Sequence, residues 1–189
     1  MAPKTTGFLL AILLSATSSL RAQELFFTRE GYISFLSETR LERIFAETSE
    51  AHSFFNVKTG EVAFSLNIDA FRFRIKLMQE HFNEQYMETA RYPRAIFSGK
   101  IENLENLDLL KPSEQSFLLK GKMTIKGVTH EIATPVKFEV SQNGRFSGHA
   151  EFQLKPEDYG IKIPSVVGLK IAKEVVVTVR SDYQPYTAQ

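Results

Sequence analysis

The chain has 189 residues, the length of one ordinary globular domain, and its hydrophobic (43%) and charged (24%) fractions exclude disorder over most of it. Its 23 basic and 22 acidic residues give a net charge of +1, which excludes a global electrostatic attraction to nucleic acid or to an anionic membrane. No cysteine is present, so disulfides, thiolate catalysis and cysteine metal sites are excluded. The unusual count is 16 phenylalanines without a tryptophan, which predicts either a wide packed core or an apolar cavity.

The first 22 residues have the order of a cleaved export signal. A basic Lys4 precedes an apolar run over 7–14, and small residues follow from Ser15 to Ser19. The run is too short to span a bilayer, which needs about 20 residues. We therefore expect a signal peptide over residues 1–22, a single soluble mature domain over residues 23–189 and a periplasmic location. A buried N-terminal helix is the alternative.

The segment 61–70 has the period-two pattern of a strand with one apolar face. Lys58-Thr59-Gly60 before it is typical of a tight turn, so an upstream strand is expected to pair with it as a hairpin. The apolar phase shifts by one residue at Phe71, which predicts a bulge or a bend. The apolar residues on the two sides of this shift are Val62, Phe64, Leu66, Ile68, Phe71, Phe73 and Ile75.

Helical spacing is clearest over 75–89, where one face is apolar and the other is acidic and amide-rich. Tyr92-Pro93 should end this segment, because the residue before a proline is pushed toward extended geometry. A strand is expected to follow over 94–101. The helix must bury its apolar face against the neighbouring strands or over an opening between them. It therefore either contributes to a ligand site or only acts as a plug. The residues of that face are Leu77, Met78, His81, Phe82 and Tyr86.

The second half of the chain has the pattern of a β-meander. Apolar residues alternate over 117–125, 132–140, 146–154 and 175–179, and Gly127 and Asn143-Gly144 mark tight turns. Gly121 and Gly148 fall on the apolar phase, where small residues let a sheet curve or leave room inside it. The fold class is therefore mainly β, an antiparallel barrel of about eight strands with one helix between strands. Such a barrel is just wide enough for one small ligand.

The sequence holds no motif of a common enzyme or metal site. The four histidines lack zinc-type spacing, and neither a nucleophile elbow nor a glycine-rich phosphate loop occurs. His81 and Glu84 lie one helical turn apart, but we interpret His81 as the edge of a packing face. Arg72, Arg74 and Lys76 are interpreted as a solvated strand face rather than a head-group contact. We expect no catalytic residue, metal or cofactor, although a serine triad, whose members need no fixed spacing, stays open.

Three blocks in this order resemble the YceI-like family of exported polyisoprenoid-binding proteins. They are LMxxHFxxxY at 77–86 with YPxAxF at 92–97, GKMTIKGVT at 121–129 with Pro135 downstream, and DYGI at 158–161. The resemblance implies a lipocalin-like antiparallel barrel, with the helix packed beside or across it. It also implies an isoprenoid-type lipid in the interior and a periplasmic address.

Three functional hypotheses follow. The first is a carrier or reservoir for a long apolar ligand, with an isoprenoid-type lipid as partner and transient membrane contact; nucleic acid is not expected, and a homodimer stays open. The second is an enzyme on a small apolar substrate, for which His81 and Tyr159 are the candidate polar pair. The third is a structural or stress-related module with a fully packed barrel. The candidate contacts in an apolar cavity are Phe64, Leu66, Ile68, Phe71, Phe73, Leu77, Met78, Phe82, Tyr86, Phe97, Phe117, Leu119, Met123, Phe138, Phe152 and Tyr159.

Overall fold

The computed structural model describes residues 24–143 and 145–186. The predicted signal peptide and Gly144 of the predicted Asn143-Gly144 turn lie outside the described residues. No helix among those described is both long enough and apolar enough to cross a membrane. The strands are β1 (Leu25–Glu38), β2 (Arg43–Asn56), β3 (Glu61–Asn67), β4 (Arg72–Phe73), β5 (Arg94–Ile101), β6 (Ser113–Ile125), β7 (Val128–Val140), β8 (Phe146–Leu154) and β9 (Val175–Pro185).

Eight of these strands form a closed antiparallel barrel in the order β1-β9-β8-β7-β6-β5-β3-β2, and β2 pairs back to β1. The short strand β4 also pairs with β2, with Ala46 opposite Phe73. Closure satisfies the hydrogen-bonding groups along both strand edges, so the barrel exposes no long open edge. The predicted antiparallel barrel of eight strands with one helix is confirmed.

Strands β1 and β2 depart from simple alternation. Thr28 pairs with Ser53 and Gly31 with Ala51, so the register slips between these pairs and slips again before Ile33. A Cβ atom at Gly31 would lie 2.9 Å from the Ala51 carbonyl oxygen, so this close approach of the two strands requires glycine. The irregularity bends the two strands and lets them wrap around the barrel.

The predicted bend near Phe71 is a single turn of 3-10 helix at Ile68–Ala70. The Ile68 amide donates a hydrogen bond to the Pro93 carbonyl at 2.9 Å, which fixes the turn to the start of β5. Ile68 and Phe71 are both buried, because the turn adds the one-residue shift that keeps apolar side chains inward on both sides of it. β4 then continues along β2 beyond the point where β3 leaves it.

The helix is shorter than the predicted 75–89. Helix α1 (Lys76–His81) passes into a π-helical turn at Phe82–Tyr86, in which the Met87 amide bonds to the Phe82 carbonyl at 2.9 Å. It ends at Glu88, whose φ of 50° lies in the left-handed region. Lys126 from the β6–β7 hairpin donates from Nζ to the Tyr86 carbonyl at 2.9 Å and to the Glu88 carboxylate at 2.6 Å. These two bonds hold the end of the helix to the barrel and account for the early stop.

The interior of the barrel is filled at one end only. There the fully buried Phe55 stacks on Phe138 at a centroid distance of 5.0 Å, and Phe146 lies 5.1 Å from Phe138 and 5.4 Å from Tyr183. Phe26 closes the group from β1 at 5.4 Å from Phe146. We call this end of the barrel the plugged end. The other end is hollow, so the rings do not fill the whole barrel as the hypothesis of a fully packed barrel requires.

Candidate functional site: an apolar cavity in the barrel

A cavity of about 540 Å³ occupies the barrel beyond the plugged end. All eight barrel strands contribute to the wall of the cavity, although β2 contributes only Ile44. The wall is apolar because the inward phase of β3, β5, β8 and β9 carries Val, Leu, Ile, Ala and Phe almost without interruption. A volume of this size falls within the usual range of small-molecule sites, about 300–1,000 Å³.

The mouth of the cavity lies at the end opposite the plug. Helix α1 contributes Leu77 and Met78 to it, and the loop 160–174 contributes Ile163 and Ile171. The Ala172 amide donates to the Ser37 hydroxyl at 2.8 Å, so this loop is fastened to the end of β1. The mouth is therefore framed by three segments from distant parts of the chain.

A cluster of four phenylalanine rings connects the helix to the mouth. Phe82 in the π-helical turn stacks on Phe35 of β1 at 5.4 Å and lies 5.0 Å from Phe73 and 5.9 Å from Phe71. All four rings line the cavity. The helix is thus attached to the barrel through an apolar contact that is at the same time part of the cavity wall.

The structure brings together most of the residues proposed from the sequence. Fourteen of the sixteen line the cavity: Phe64, Leu66, Ile68, Phe71, Phe73, Leu77, Met78, Phe82, Tyr86, Phe97, Leu119, Met123, Phe138 and Phe152.

Phe117 and Tyr159 lie elsewhere. Phe117 has the inward phase of β6 but sits toward the plugged end, with its ring 5.9 Å from that of Phe138. Tyr159 is buried against His130, 5.1 Å between ring centroids, in a 3-10 turn that packs on β7. Its burial, with the nearby charge of Asp158, raises the pKa of the Tyr159 hydroxyl. His81 lines the cavity and Tyr159 does not, so the candidate polar pair shares no site.

Several wall residues were not predicted. Ile33 and Phe35 lie on β1 and Ile44 on β2, two strands whose bulges and small inward residues hide the alternation. Ile161 and Ile163 lie on the loop 160–174, where their spacing by two was a usable signal. The sequence analysis predicted no strand or helix in that loop, so Ile163 and its neighbours were not proposed as part of the cavity wall.

The polar side chains of the wall include groups at the mouth and groups at the plugged end. At the mouth are the charged side chains Glu42 and Lys170. At the plugged end, Tyr183 and Ser181 line the cavity, and the Tyr183 hydroxyl lies 2.9 Å from the Ser53 hydroxyl. Burial raises the pKa of Tyr183 to about 12, more than its hydroxyl neighbours lower it. Within 24–143 and 145–186, no cluster of three or more histidine or carboxylate groups is arranged to hold a metal ion.

The closed barrel with an apolar cavity at one end defines a lipocalin-like β-barrel protein. The chain belongs to the YceI-like family, because the model of the YceI-like domain matches residues 28–182. No curated protein matches the chain.

Solved structures of several proteins share the fold. A polyisoprenoid-binding domain from Saccharophagus degradans implicated in plant cell wall breakdown is 14% identical, with a TM-score of 0.74 over 87% of this chain and 100% of that one. Burkholderia cenocepacia BcnA is 16% identical, with a TM-score of 0.67 over 82% and 96%. A Campylobacter jejuni YceI protein is 11% identical, with a TM-score of 0.59 over 76% and 85%.

Proposed function

We propose that the protein is a periplasmic carrier or reservoir for a long apolar lipid, of the polyisoprenoid type or similar. The observation that carries this proposal is the apolar cavity of about 540 Å³ inside a barrel whose other end is packed. Apolar surface removed from water is worth about 25 cal/mol per Å², so a hydrocarbon chain gains much by entering it. The solved domain of the same fold that is described as polyisoprenoid-binding supports the choice of ligand class.

The fourteen wall residues predicted from the sequence are the proposed ligand contacts. Among them Met78 and Phe82 are proposed as the contacts made by the helix. Methionine is unbranched and adapts its shape, which suits a flexible chain. A binding role is preferred to an enzymatic one, since His81 and Tyr159 do not meet in the cavity.

Native mass spectrometry of protein purified without detergent tests this proposal. We expect a non-covalent lipid adduct that organic solvent removes. Ala150→Phe should abolish the adduct because Ala150 lies on the cavity wall, whereas Ala133→Phe, on the exposed face of β7, should retain it. Ligand-free protein in every preparation, with no binding of an added polyprenol, would contradict the proposal.

A periplasmic address is the second part of the proposal, and the order of residues 1–22 supports it. Expressed in a Gram-negative host, the protein should appear in the periplasm after losing about 22 residues. N-terminal sequencing that finds Met1 on the exported protein would overturn this part and leave the cavity proposal standing.

Delivery requires contact with a membrane, and the mouth is suited to an anionic phospholipid surface. Leu77 (57% exposed) lies on the wall at the mouth, and Leu169 (77%) adjoins the wall residue Lys170. Arg72 and Lys76 form ion pairs with Glu50 and Glu80, whereas Arg74 and Lys170 form none among the described residues. We therefore propose Lys170, and Arg74 in place of its interpretation as merely solvated, as contacts for lipid phosphates. Exposed apolar tips among basic side chains are typical of proteins that dock on such surfaces.

Co-sedimentation with vesicles tests this docking. Binding to vesicles that contain phosphatidylglycerol should exceed binding to phosphatidylcholine vesicles, and Leu169→Glu should reduce it. Leu110→Glu is the control, since Leu110 is even more exposed (94%) but lies in the loop after β5 at the plugged end. Equal binding by both variants, or none by the parent protein, would overturn this part.

A further inference from the structure

Three aromatic rings meet on the outer surface of the barrel, at the level of the plugged end. Phe27 of β1 and Phe54 of β2 are opposite each other in the ladder, with ring centroids 6.4 Å apart and ring planes inclined by only 26°. Tyr186, which follows β9, lies 5.7 Å from Phe27 and 6.1 Å from Phe54, with its ring plane at 90° and 71° to theirs. We call these three rings the outer platform.

The outer platform lies outside the core, although its neighbours in sequence belong to the plug. Phe26 and Phe55 point inward and are buried, so the alternation of the strands turns Phe27 and Phe54 outward. Phe54 is 46% exposed and Tyr186 is 40% exposed, so the rings keep much of their surface in water. Contiguous exposed apolar surface of this kind marks a binding site.

The residues beside the outer platform leave its rings uncovered. Ala63 of β3 is opposite Phe54, and Gln184 of β9 is opposite Phe27; both are exposed. The Ala63 side chain is too small to cover a ring, and the Gln184 amide can both donate and accept hydrogen bonds. The surface therefore combines flat apolar rings with a hydrogen-bonding group at their edge.

An arginine without a salt bridge lies over the outer platform. The guanidinium carbon of Arg29 is 5.9 Å from the centroid of the Phe27 ring, and none of the described carboxylates, not even the adjacent Glu30, forms a salt bridge with it. Glu24 and Asp182 are already paired with other cations, at 3.0 Å and 3.2 Å. The Arg29 guanidinium therefore has donors free for an anionic group of a ligand.

A second arginine of the same kind lies further along β1 and β9. Arg180 is opposite Tyr32 in the ladder, with its guanidinium carbon 6.0 Å from the Tyr32 ring centroid, and it too forms no salt bridge with a described residue. Tyr32 is five positions beyond Phe27, or roughly 15 Å along a strand. Two arginines over aromatic rings at this spacing suit a chain of repeating anionic units better than a single small anion.

The combination of flat rings, a polar edge and spaced cations defines the ligand class. A pyranose ring has a face of C–H groups that packs on an aromatic ring, and hydroxyls around its edge that bond to amides. A sugar acid adds the carboxylate that arginine binds. A bilayer also accepts aromatic and basic side chains, but docking here would turn the mouth, at the opposite end of the barrel, away from the membrane.

We propose that the outer platform binds an anionic glycan chain. Sugar rings pack on Phe27, Phe54 and Tyr186, and carboxylates of the chain pair with Arg29 and Arg180. Peptidoglycan and uronic-acid polysaccharides share this chemistry. The site is separate from the lipid cavity and leaves the mouth free, so the proposal does not depend on the proposed lipid-binding function.

Isothermal titration calorimetry with tetragalacturonate tests this proposal, with chitotetraose as the uncharged comparison. The parent protein should bind tetragalacturonate more tightly than chitotetraose. Phe54→Ala should weaken the binding of both about two- to tenfold, as expected for one lost aromatic contact. Arg29→Gln should weaken tetragalacturonate alone and reduce the salt dependence of its binding. Phe45→Ala is the matched control, since Phe45 is 41% exposed on the outer face of the same strand but near the mouth.

Co-sedimentation with purified peptidoglycan sacculi distinguishes the two sources of the glycan. Binding that Phe54→Ala reduces assigns the site to peptidoglycan, and binding of tetragalacturonate without sacculi assigns it to a uronic-acid polysaccharide. Phe54→Leu removes the ring but keeps an apolar side chain, and it replaces Phe54→Ala if that variant does not fold. Lipid retention should be unchanged in either variant.

Three results would overturn the proposal. The first is a parent protein that binds neither oligosaccharide nor sacculi, and the second is an equal loss of binding in Phe54→Ala and Phe45→Ala. The third is chitotetraose bound as tightly as tetragalacturonate, which removes the anionic ligand. Sedimentation velocity covers the competing occupant: if Phe54→Ala dissociates a dimer and leaves glycan binding unchanged, the rings belong to a contact between two copies of the chain.

Discussion

The ring of Phe82 lies 5.0 Å from the ring of Phe73, so the π-helical turn touches the barrel at the mouth of the cavity. Phe82 also stacks on Phe35, and all three rings belong to the cavity wall. The same side chain therefore anchors the helix and faces the space proposed for the ligand.

Phe82→Ala separates these two roles. Phe82 is half-buried, so its truncation should cost less than the roughly 3–5 kcal/mol typical of a buried phenylalanine. Lipid retention in native mass spectra should fall much more than the thermal midpoint. Phe55→Ala, in the plugged end, is the comparison and should show the full loss of stability. A folded Phe82→Ala protein with complete lipid occupancy would exclude an important contact at this position.

Substitution by leucine should have different effects at Gly121 and at Gly148, two glycines that face the inside of the barrel. At Gly121 a Cβ atom would lie 2.6 Å from Cζ of Phe97 and 2.5 Å from the Ser98 carbonyl oxygen, so Gly121→Leu should overpack the wall at about 1–3 kcal/mol or more. At Gly148 the nearest atom is Cε1 of the Phe138 ring at 3.0 Å, and the residue lines the cavity. Gly148→Leu should therefore block lipid with the smaller loss of stability. Chemical denaturation beside mass spectrometry measures both effects, and equal loss of stability in the two variants would contradict this.

The contact between Lys126 and Glu88 should make the end of the helix sensitive to acid. The hydrogen bond from Lys126 lowers the pKa of the Glu88 carboxyl below its usual 4.5. Its contribution to stability is thus present above pH 4.5 and is lost as the pH falls through the lowered value. Amide exchange over 82–90 should accelerate in that acid range, and Lys126→Met should show the fast exchange already at neutral pH. Lys76→Met, which removes the exposed pair with Glu80, should not.

Tyr183 should make the barrel sensitive to strong alkali. Its pKa is raised from 10.0 to about 12, so burial of the neutral phenol stabilises the fold fully below pH 10. This contribution is lost as the pH rises through 12. Ultraviolet titration should show late ionisation of Tyr183, together with unfolding, and Tyr183→Phe identifies its part of the signal. Tyr183→Phe keeps the ring and removes the ionisation, so its loss of stability above pH 10 should be smaller.

The sequence predicts the fold best where one strand face is uniformly apolar. Alternation in β3 and in β6 to β9 is visible because their inward residues are large and their outward residues polar. Strands β1 and β2 gave no such signal, since inward positions hold Gly31, Ala51 and Ser53 and the register slips between them. The helix was predicted too long because the left-handed turn at Glu88 depends on Lys126, which is remote in sequence.

The residues of the cavity wall were likewise predicted best on strands with one uniformly apolar face. Phe64, Leu66 and Phe97 were found because alternation and position in the barrel agree. The alternation in β6 correctly places the Phe117 side chain inside the barrel, but it does not show at which end of the barrel the side chain lies. Tyr159 lies in a block that resembles the family, and the packing of its turn on β7 is a tertiary contact that local sequence does not reveal. Ser181 was overlooked, as a lone serine on a valine-rich strand gives no sequence signal.

The aromatic plug has a consequence for traffic through the barrel. A barrel that is closed at one end has a single entrance, so a ligand cannot enter at one end and leave at the other. If the protein carries a lipid as proposed, loading and unloading use the same opening. Such a carrier would have to rotate, or dissociate and diffuse, between a donor and an acceptor.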